Sequence, residues 1–168
     1  MPFAPNQKAR VKKTRYMCVW LLVLLTPVYP QAAGKTGVKQ PGTVIKDAAA
    51  KTKLLGQHRL ALQWISWGYF GKAIITESDG TLFLKGEQKA RKGGDHLSID
   101  GIITEVDARE FKFKGKIVTK VEINNGGKPC ERNGEMTFTV KGNRRYWRLK
   151  EMENPCEEVV DYVDIFFR

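Results

Sequence analysis

The chain has 168 residues, of which 42% are hydrophobic and 28% are charged, and its formal net charge is +11. This length suits one folded domain with additions, and the apolar content excludes wholesale disorder. Five of the basic residues lie in the first 33 positions, which hold no acidic residue, so the remainder of the chain is moderately basic and favours anionic surfaces without requiring nucleic acid.

The N-terminal 33 residues have the order of a secretory signal peptide. A basic stretch ending at Arg15 precedes an apolar run from Met17 to Val28, and small residues follow up to Ala33. The run is shorter than the roughly 20 residues that a membrane-spanning helix needs. We therefore predict a signal peptide over residues 1–33 and an exported protein, periplasmic or extracellular, with no stable membrane span after cleavage. The alternative is an uncleaved anchor.

The next segment, residues 34–57, shows no sustained hydrophobic period. We predict a flexible tether there, with a short helix over residues 44–51. Residues 58–168 are predicted to form a single β-domain. Its first strand is placed over residues 59–67, because apolar residues alternate there and aromatic residues crowd its end.

From Gly71 onward, turn signals alternate with short apolar runs. Asp79-Gly80 stands between two such runs and predicts a type I′ hairpin, since both central residues of that turn need positive φ. Other turns are predicted at residues 91–95, 107–109 and 124–129. The remaining strands are predicted over residues 73–78, 81–84, 96–106, 110–124, 135–141, 144–151 and 160–167. The predicted fold is therefore all-β: an antiparallel meander of seven to eight strands, curled into a small barrel or a two-sheet sandwich.

A repeated pattern supports a curled sheet. An alternating apolar pair is followed two residues later by glycine four times, at Gly86, Gly101, Gly115 and Gly142. Alternation puts each glycine on the same face as its apolar pair, where it adds no side chain. Such glycines mark bulges or sharp coiling. The alternative is that they are turn residues, and for Gly142 the turn is the preferred interpretation.

The two late cysteines, Cys130 and Cys156, flank a predicted hairpin at Gly142-Asn143. A two-residue loop there would pair Phe138 with Trp147, and Met136 with Leu149. The cysteines then lie almost opposite each other at the open end of the hairpin. In an exported chain we predict a disulfide between them, contributing about 3 kcal/mol. The alternative is two free thiols in a reducing compartment.

The sequence from Lys141 to Arg148 interleaves arginine with tyrosine and tryptophan. Strand alternation places Arg144, Tyr146 and Arg148 on the outer face and Trp147 in the core. Arginine forks and aromatic rings suit anionic or aromatic ligands, so these three residues are predicted ligand contacts. The alternative is a solvated strand face whose arginines pair with nearby acidic residues.

A second aromatic cluster contains Trp64 and Trp67, which we also predict to contact the ligand. In this interpretation they form the wall of an apolar pocket at a barrel mouth. The competing interpretation, which we favour for packing, is that a tryptophan plugs one end of the barrel.

No catalytic, cofactor or metal-binding pattern emerges. His58 and His96 each begin a predicted strand without a metal-spaced partner, and we interpret both as surface or edge residues. No Gly-x-Ser-x-Gly elbow is present, and two cysteines alone cannot form a four-ligand zinc site. We therefore predict a protein that is not an enzyme and uses no cofactor.

For function, the sequence favours an exported non-enzymatic module that binds a small amphipathic or anionic ligand, a lipid or an envelope component. The alternative is a protein-interaction module, such as an inhibitor or an envelope assembly factor. An oligonucleotide-binding barrel would also fit the basic and aromatic content, but export argues against nucleic acid as the partner.

Overall fold

The structure, a computed structural model, describes residues 42–168, so the predicted signal peptide and the first part of the predicted tether lie outside it. Within these residues, one α-helix and one short 3₁₀-helix accompany nine strands. In chain order the elements are β1 (Val44–Ile45), α1 (Ala48–Leu54), β2 (Gly56–Leu62), β3 (Gly71–Ser78), β4 (Thr81–Lys89), β5 (His96–Val106), β6 (Glu110–Lys120), the 3₁₀-helix (Asn125–Gly127), β7 (Cys130–Thr139), β8 (Tyr146–Leu149) and β9 (Val163–Phe166).

Strands β2 to β9 form a closed antiparallel barrel of eight strands. Each strand pairs with the next along the chain, and β2 pairs with β9 to close the ring. The ninth strand, β1, pairs with β5 in parallel, and Val44 lies opposite Glu105. The pairing of β4 with β5 ends at Ile103, so β1 pairs with the part of β5 that β4 leaves free. The all-β prediction is confirmed, and of its two alternatives the barrel is the one observed.

Side chains fill the barrel interior. The inward positions of β6 and β7 carry three fully buried phenylalanines, Phe111, Phe113 and Phe138. Phe111 and Phe138 stack with their ring centroids 5.0 Å apart, and Trp147 meets Phe111 edge-on at 5.9 Å. Burying each such ring stabilises the fold by roughly 1.5–3 kcal/mol, so the interior acts as a packed core.

Ordered elements extend into the segment that the sequence predicts to be a tether. Strand β1 and helix α1 lie there, and the helix begins at Ala48 rather than near Val44. The side chain of Asp47 accepts a hydrogen bond from the Ala50 N–H, which is a helix N-cap and fixes the start. Ala50 and Leu54, four residues apart, both join the barrel core. The helix is therefore held by its apolar stripe and covers one end of the barrel.

Several strand boundaries differ from the predicted ones. Strand β2 ends at Leu62 rather than at Trp67, because a turn follows in which the Ile65 and Ser66 amides donate to the Leu62 carbonyl. Strand β7 begins at Cys130, earlier than predicted, while β6, β8 and β9 are shorter than predicted. The predicted hairpin at Asp79-Gly80 is confirmed, with φ of 49° and 74° at the two turn residues.

The predicted register of the β7–β8 hairpin is wrong by two residues. Phe138 pairs with Leu149, not with Trp147, because residues 140–145 form a loop longer than the two-residue turn that was predicted. A shift of two keeps every side chain on its predicted face, since the side-chain period of a strand is two. Trp147 is accordingly buried, and Tyr146 and Arg148 are partly exposed on the outer face.

The glycine pattern marks sharp coiling at three of its four positions. Gly101 lies directly opposite Gly115, and a Cβ on Gly101 would be 2.6 Å from the Gly115 Cα and 2.8 Å from the Phe113 ring. A Cβ on Gly86 would lie 2.9 Å from the Cα of its partner Ala73. Gly142 instead has a φ of 59° in the β7–β8 loop, so the turn interpretation holds there.

The predicted disulfide is present between Cys130 and Cys156. It joins the first residue of β7 to the long β8–β9 connection, and Cys130 is buried while Cys156 is exposed. The cysteines are thus neighbours as predicted, although the chain that carries Cys156 has left strand β8 by that point.

Candidate functional site

A groove of about 1160 Å³ runs over the outer face of β3, β4 and β5. Alternation creates it: because Ala73, Leu82 and Leu84 point into the core, the residues between them face outward. We call this surface the outer groove. Its outward side chains include Phe70, Lys72, Ile74, Phe83, Lys85, Glu87, Lys89 and Asp100, and Gly71, Gly86 and Gly101 also line it.

Two apolar side chains remain exposed in the outer groove. Ile74 is 41% exposed and Phe83 37%. Ile74 pairs with Lys85 and Thr76 with Phe83, so the two apolar residues are diagonal neighbours on adjacent strands. Such neighbours lie within reach of each other, and together they form a continuous apolar patch.

Lysines border this patch. Lys85 meets Asp100 at 3.2 Å and Lys89 meets Glu87 at 3.0 Å, but these side chains are 62–81% exposed. Ion pairs this exposed contribute little and exchange readily with other anions. Lys72 takes part in no ion pair within residues 42–168. The outer groove therefore combines an apolar surface with cations that can receive an anionic group.

A row of stacked cations and rings continues from the outer groove onto β2, β9 and β8. The Arg59 guanidinium lies 4.5 Å from the Phe70 ring centroid and 5.2 Å from that of Phe166. Phe166 in turn contacts Tyr146 at 5.3 Å. Phe70 thus belongs both to the outer groove and to this row, which makes the two surfaces contiguous.

The structure brings Arg144, Tyr146 and Arg148 together. The guanidinium groups of Arg144 and Arg148 lie 5.6 and 5.2 Å from the Tyr146 ring centroid. Arg148 also forms two 2.7 Å hydrogen bonds to the Asp164 carboxylate, which is 1% exposed, so a predicted contact residue already has an internal partner. Burial raises the pKa of Asp164, and the bonds from Arg148 offset only part of that effect.

Trp64 and Trp67 lie in the loop at residues 63–70, apart from Arg144, which lies in the loop at the other end of the barrel. The Trp64 indole N–H donates to Asp161 at 2.9 Å, and its ring packs against the core, so it plugs this end. Trp67 is 45% exposed and remains available for contact. Whether either residue binds a ligand stays a prediction.

Asp161 organises the end of the barrel that Trp64 closes. It is fully buried, and its Oδ2 accepts hydrogen bonds from Arg132 at 2.8 Å and Asn154 at 3.0 Å. Arg132 also donates to the Glu153 carbonyl at 2.9 Å. A buried pair with this many satisfied groups fixes the β8–β9 connection in place, so we assign it a structural role.

The prediction that His58 lies at the surface is wrong. It is 3% exposed, with Nε2 2.6 Å from the Leu54 carbonyl and Nδ1 2.9 Å from the Phe166 carbonyl. His58 therefore ties the end of α1 to the end of β9. His96 is partly exposed, as predicted.

No helix within residues 42–168 has the length and apolarity that a membrane crossing requires. No group of three or more histidine, cysteine, aspartate or glutamate side chains in the same residues is arranged to hold a metal ion.

Sequence reasoning missed the outer groove. Its signal was present, because the runs Ala73-Ile74-Ile75 and Leu82-Phe83-Leu84 are apolar at consecutive positions. In a half-buried strand, consecutive apolar residues place one of them on the solvent face. Ile74 and Phe83 are those residues.

Comparison with known proteins gives a family and one relative. The family model described as the PM1083 family matches residues 42–167, which is nearly all of the described chain. Uncharacterized protein PM1083 of Pasteurella multocida (strain Pm70) is 40% identical over 158 residues, which are 94% of this chain and 100% of that protein. No solved structure matches the chain.

Proposed function

The chain belongs to the PM1083 family, and we propose that in this protein the barrel is an exported, non-enzymatic module that binds an amphipathic anionic ligand of the cell envelope. The observation that carries the proposal is the outer groove, where exposed Ile74 and Phe83 lie among lysines. An apolar tail would cover the patch, and an anionic head would pair with Lys72 or Lys85.

The packed core supports a binding surface on the outside of the barrel. Pockets that bind small molecules in other barrels lie inside or at the mouth. Here phenylalanines fill the interior and α1 and Trp64 cover the two ends, so the outside of the barrel offers the larger concave surface. The disulfide supports export, because such bonds persist in oxidising compartments.

Titration calorimetry with dodecanoate, kept below its micelle concentration, tests the proposal. Phe83→Ser removes the apolar patch and should weaken binding about tenfold, the equivalent of roughly 1.4 kcal/mol of apolar burial. Lys72→Glu should also weaken it. The matched controls are Ile123→Ser, which changes an exposed loop residue, and Lys114→Glu on the outer face of β6. Equal affinity in all four variants would refute the outer groove as the site.

A protein partner is the second candidate. The outer groove is open along its length, which suits an extended polypeptide as well as a small molecule. A photo-activated cross-linker placed at residue 83 in cells should then give one discrete protein adduct, absent when the cross-linker is at residue 114. An adduct together with no dodecanoate binding would favour this candidate over the first.

A further inference from the structure

Three cationic side chains converge at the end of the barrel that α1 covers. Lys53 comes from the last turn of α1, Arg145 from the loop at residues 140–145, and Arg168 follows β9. With Phe167 they line an open depression of about 440 Å³. Three segments far apart in sequence thus bring positive charge to one place, separate from the residues that line the outer groove.

These cations lack acidic partners. Within residues 42–168, none of Lys53, Arg145 and Arg168 takes part in an ion pair, whereas Lys51 on the same helix meets Glu77 at 2.7 Å. Like charges close together repel, so this arrangement costs stability unless an anion occupies it.

Contacts with the backbone and the core position the Lys53 and Arg168 side chains and fix the backbone of Arg145. The Arg168 guanidinium donates to the Thr52 carbonyl at 3.2 Å, and the Phe167 N–H donates to the Arg145 carbonyl at 2.9 Å. The Lys53 ammonium lies 4.9 Å from the Phe167 ring centroid, and that ring packs against buried Trp147 at 4.4 Å. A fixed base of this kind reduces the entropy lost on binding.

We propose that Lys53, Arg145 and Arg168 form a binding site for a phosphate group. The two arginines offer forked donors that match phosphate oxygens, and lysine adds a third charge. A phosphate supplies enough oxygens and charge for all three, whereas a single carboxylate has two oxygens and one charge. This site goes beyond the proposed function, because it uses none of the residues of the outer groove.

The phosphate could belong to the headgroup of an anionic lipid or to a free phosphate compound, and the experiment separates these sources. One arm titrates the purified protein with inorganic phosphate and follows by NMR the chemical shifts of the Arg168 side chain, which every variant keeps. The other arm measures co-sedimentation with phosphatidylcholine vesicles that contain or lack phosphatidylglycerol.

The test variant is Lys53→Gln/Arg145→Gln, and the control is Lys92→Gln/Lys128→Gln, which removes the same charge at the opposite end of the barrel. All four residues are exposed, so we expect both variants to fold, and thermal unfolding checks this. We expect the test variant to bind about fivefold more weakly for each cation removed, and the control to change little. Binding in the phosphate arm identifies a free ligand, and binding that requires phosphatidylglycerol identifies a lipid. Binding in neither arm, or equal losses in both variants, would overturn the proposal.

Discussion

At the scale of single residues, the ion pair between Arg148 and Asp164 shows how an outward side chain can stabilise the barrel. Asp164 is on the outer side of β9, yet it is 1% exposed, and both its carboxylate oxygens bond to Arg148, whose guanidinium lies 4.1 Å from the Tyr162 ring centroid. A charge buried in this way depends on its partner. Arg148, which the sequence predicts to contact a ligand, therefore also has a structural role as the partner of Asp164.

Replacing Arg148 by alanine should lower the free energy of unfolding by about 3 kcal/mol, because it leaves the buried Asp164 carboxylate without its partner. Urea unfolding followed by tryptophan fluorescence measures the change. Arg144→Ala is the control, since Arg144 is exposed and makes no ion pair in the described part of the chain; its effect should stay within about 0.5 kcal/mol. Similar stabilities for the two variants would contradict the assigned role of Arg148.

The same carboxyl predicts a dependence of stability on pH. Burial raises the folded-state pKa of Asp164 above its ordinary value of 3.8, so the folded protein holds this proton more tightly than the unfolded chain. The stability that protonated Asp164 contributes is fully present below its ordinary pKa and is lost as the pH rises through its folded-state pKa. The stability of the wild type relative to Asp164→Asn should therefore fall as the pH rises above about 4. A difference that stays flat or rises with pH would show that the Arg148 bonds outweigh burial.

At the scale of elements, glycines set the curvature of the sheet. Adding a methyl group at Gly101 would force the β5 and β6 backbones apart, since the new atom would meet the Gly115 Cα and the Phe113 ring. We expect Gly101→Ala to destabilise the protein by about 2 kcal/mol, as overpacking does. Gly94→Ala is the control: only the end of a lysine side chain lies near that position, at 3.5 Å. Thermal unfolding of both variants checks this, and a Gly101→Ala protein as stable as the control would mean that the strands are not held so close.

An ion pair helps to hold the short strand β1 against β5. Glu105 meets Lys46 at 2.8 Å and Lys112 at 3.3 Å, and the hydrogen bond from Lys46 is the main reason that the pKa of Glu105 is lowered from its ordinary 4.5. Stability from this group is present above that value and is lost as the pH falls through the folded pKa. Hydrogen-exchange protection at Val44 to Lys46, corrected for the pH dependence of intrinsic amide exchange, should therefore decrease on acidification in the wild type and stay unchanged in Glu105→Gln. Salt should weaken the effect, because these groups reach solvent.

The sequence predicted those elements whose signals are local. The turn at Asp79-Gly80, the pairing of Cys130 with Cys156 and the inward face of Trp147 all followed from turn chemistry or from alternation. The β7–β8 register did not follow, because Gly142-Asn143 fits a tight turn as well as the longer loop that forms. The burial of His58 was also missed, since it depends on carbonyls that α1 and β9 supply from elsewhere.

At the scale of the whole molecule, the pairing of β2 with β9 closes the barrel, so that each strand from β2 to β9 has a neighbour on both sides. The disulfide links β7 to the long connection between β8 and β9. Replacing both cysteines by serine should cost about 3 kcal/mol by the chain-entropy model, for a sequence separation of 26 residues. Urea unfolding of the double variant, compared with the wild type with and without reductant, measures it. The reduced wild type should match the variant, and a reduced protein as stable as the oxidised one would contradict this contribution.

A closed barrel with a packed core leaves its outer surface for recognition, as we propose for the outer groove. The most direct test is a ¹H–¹⁵N NMR titration of the wild type with dodecanoate. We predict shift changes at the outward residues Lys72, Ile74, Phe83 and Lys85, with the inward residues Phe113 and Phe138 unchanged. Changes centred on the inward residues, or no changes at all, would contradict it.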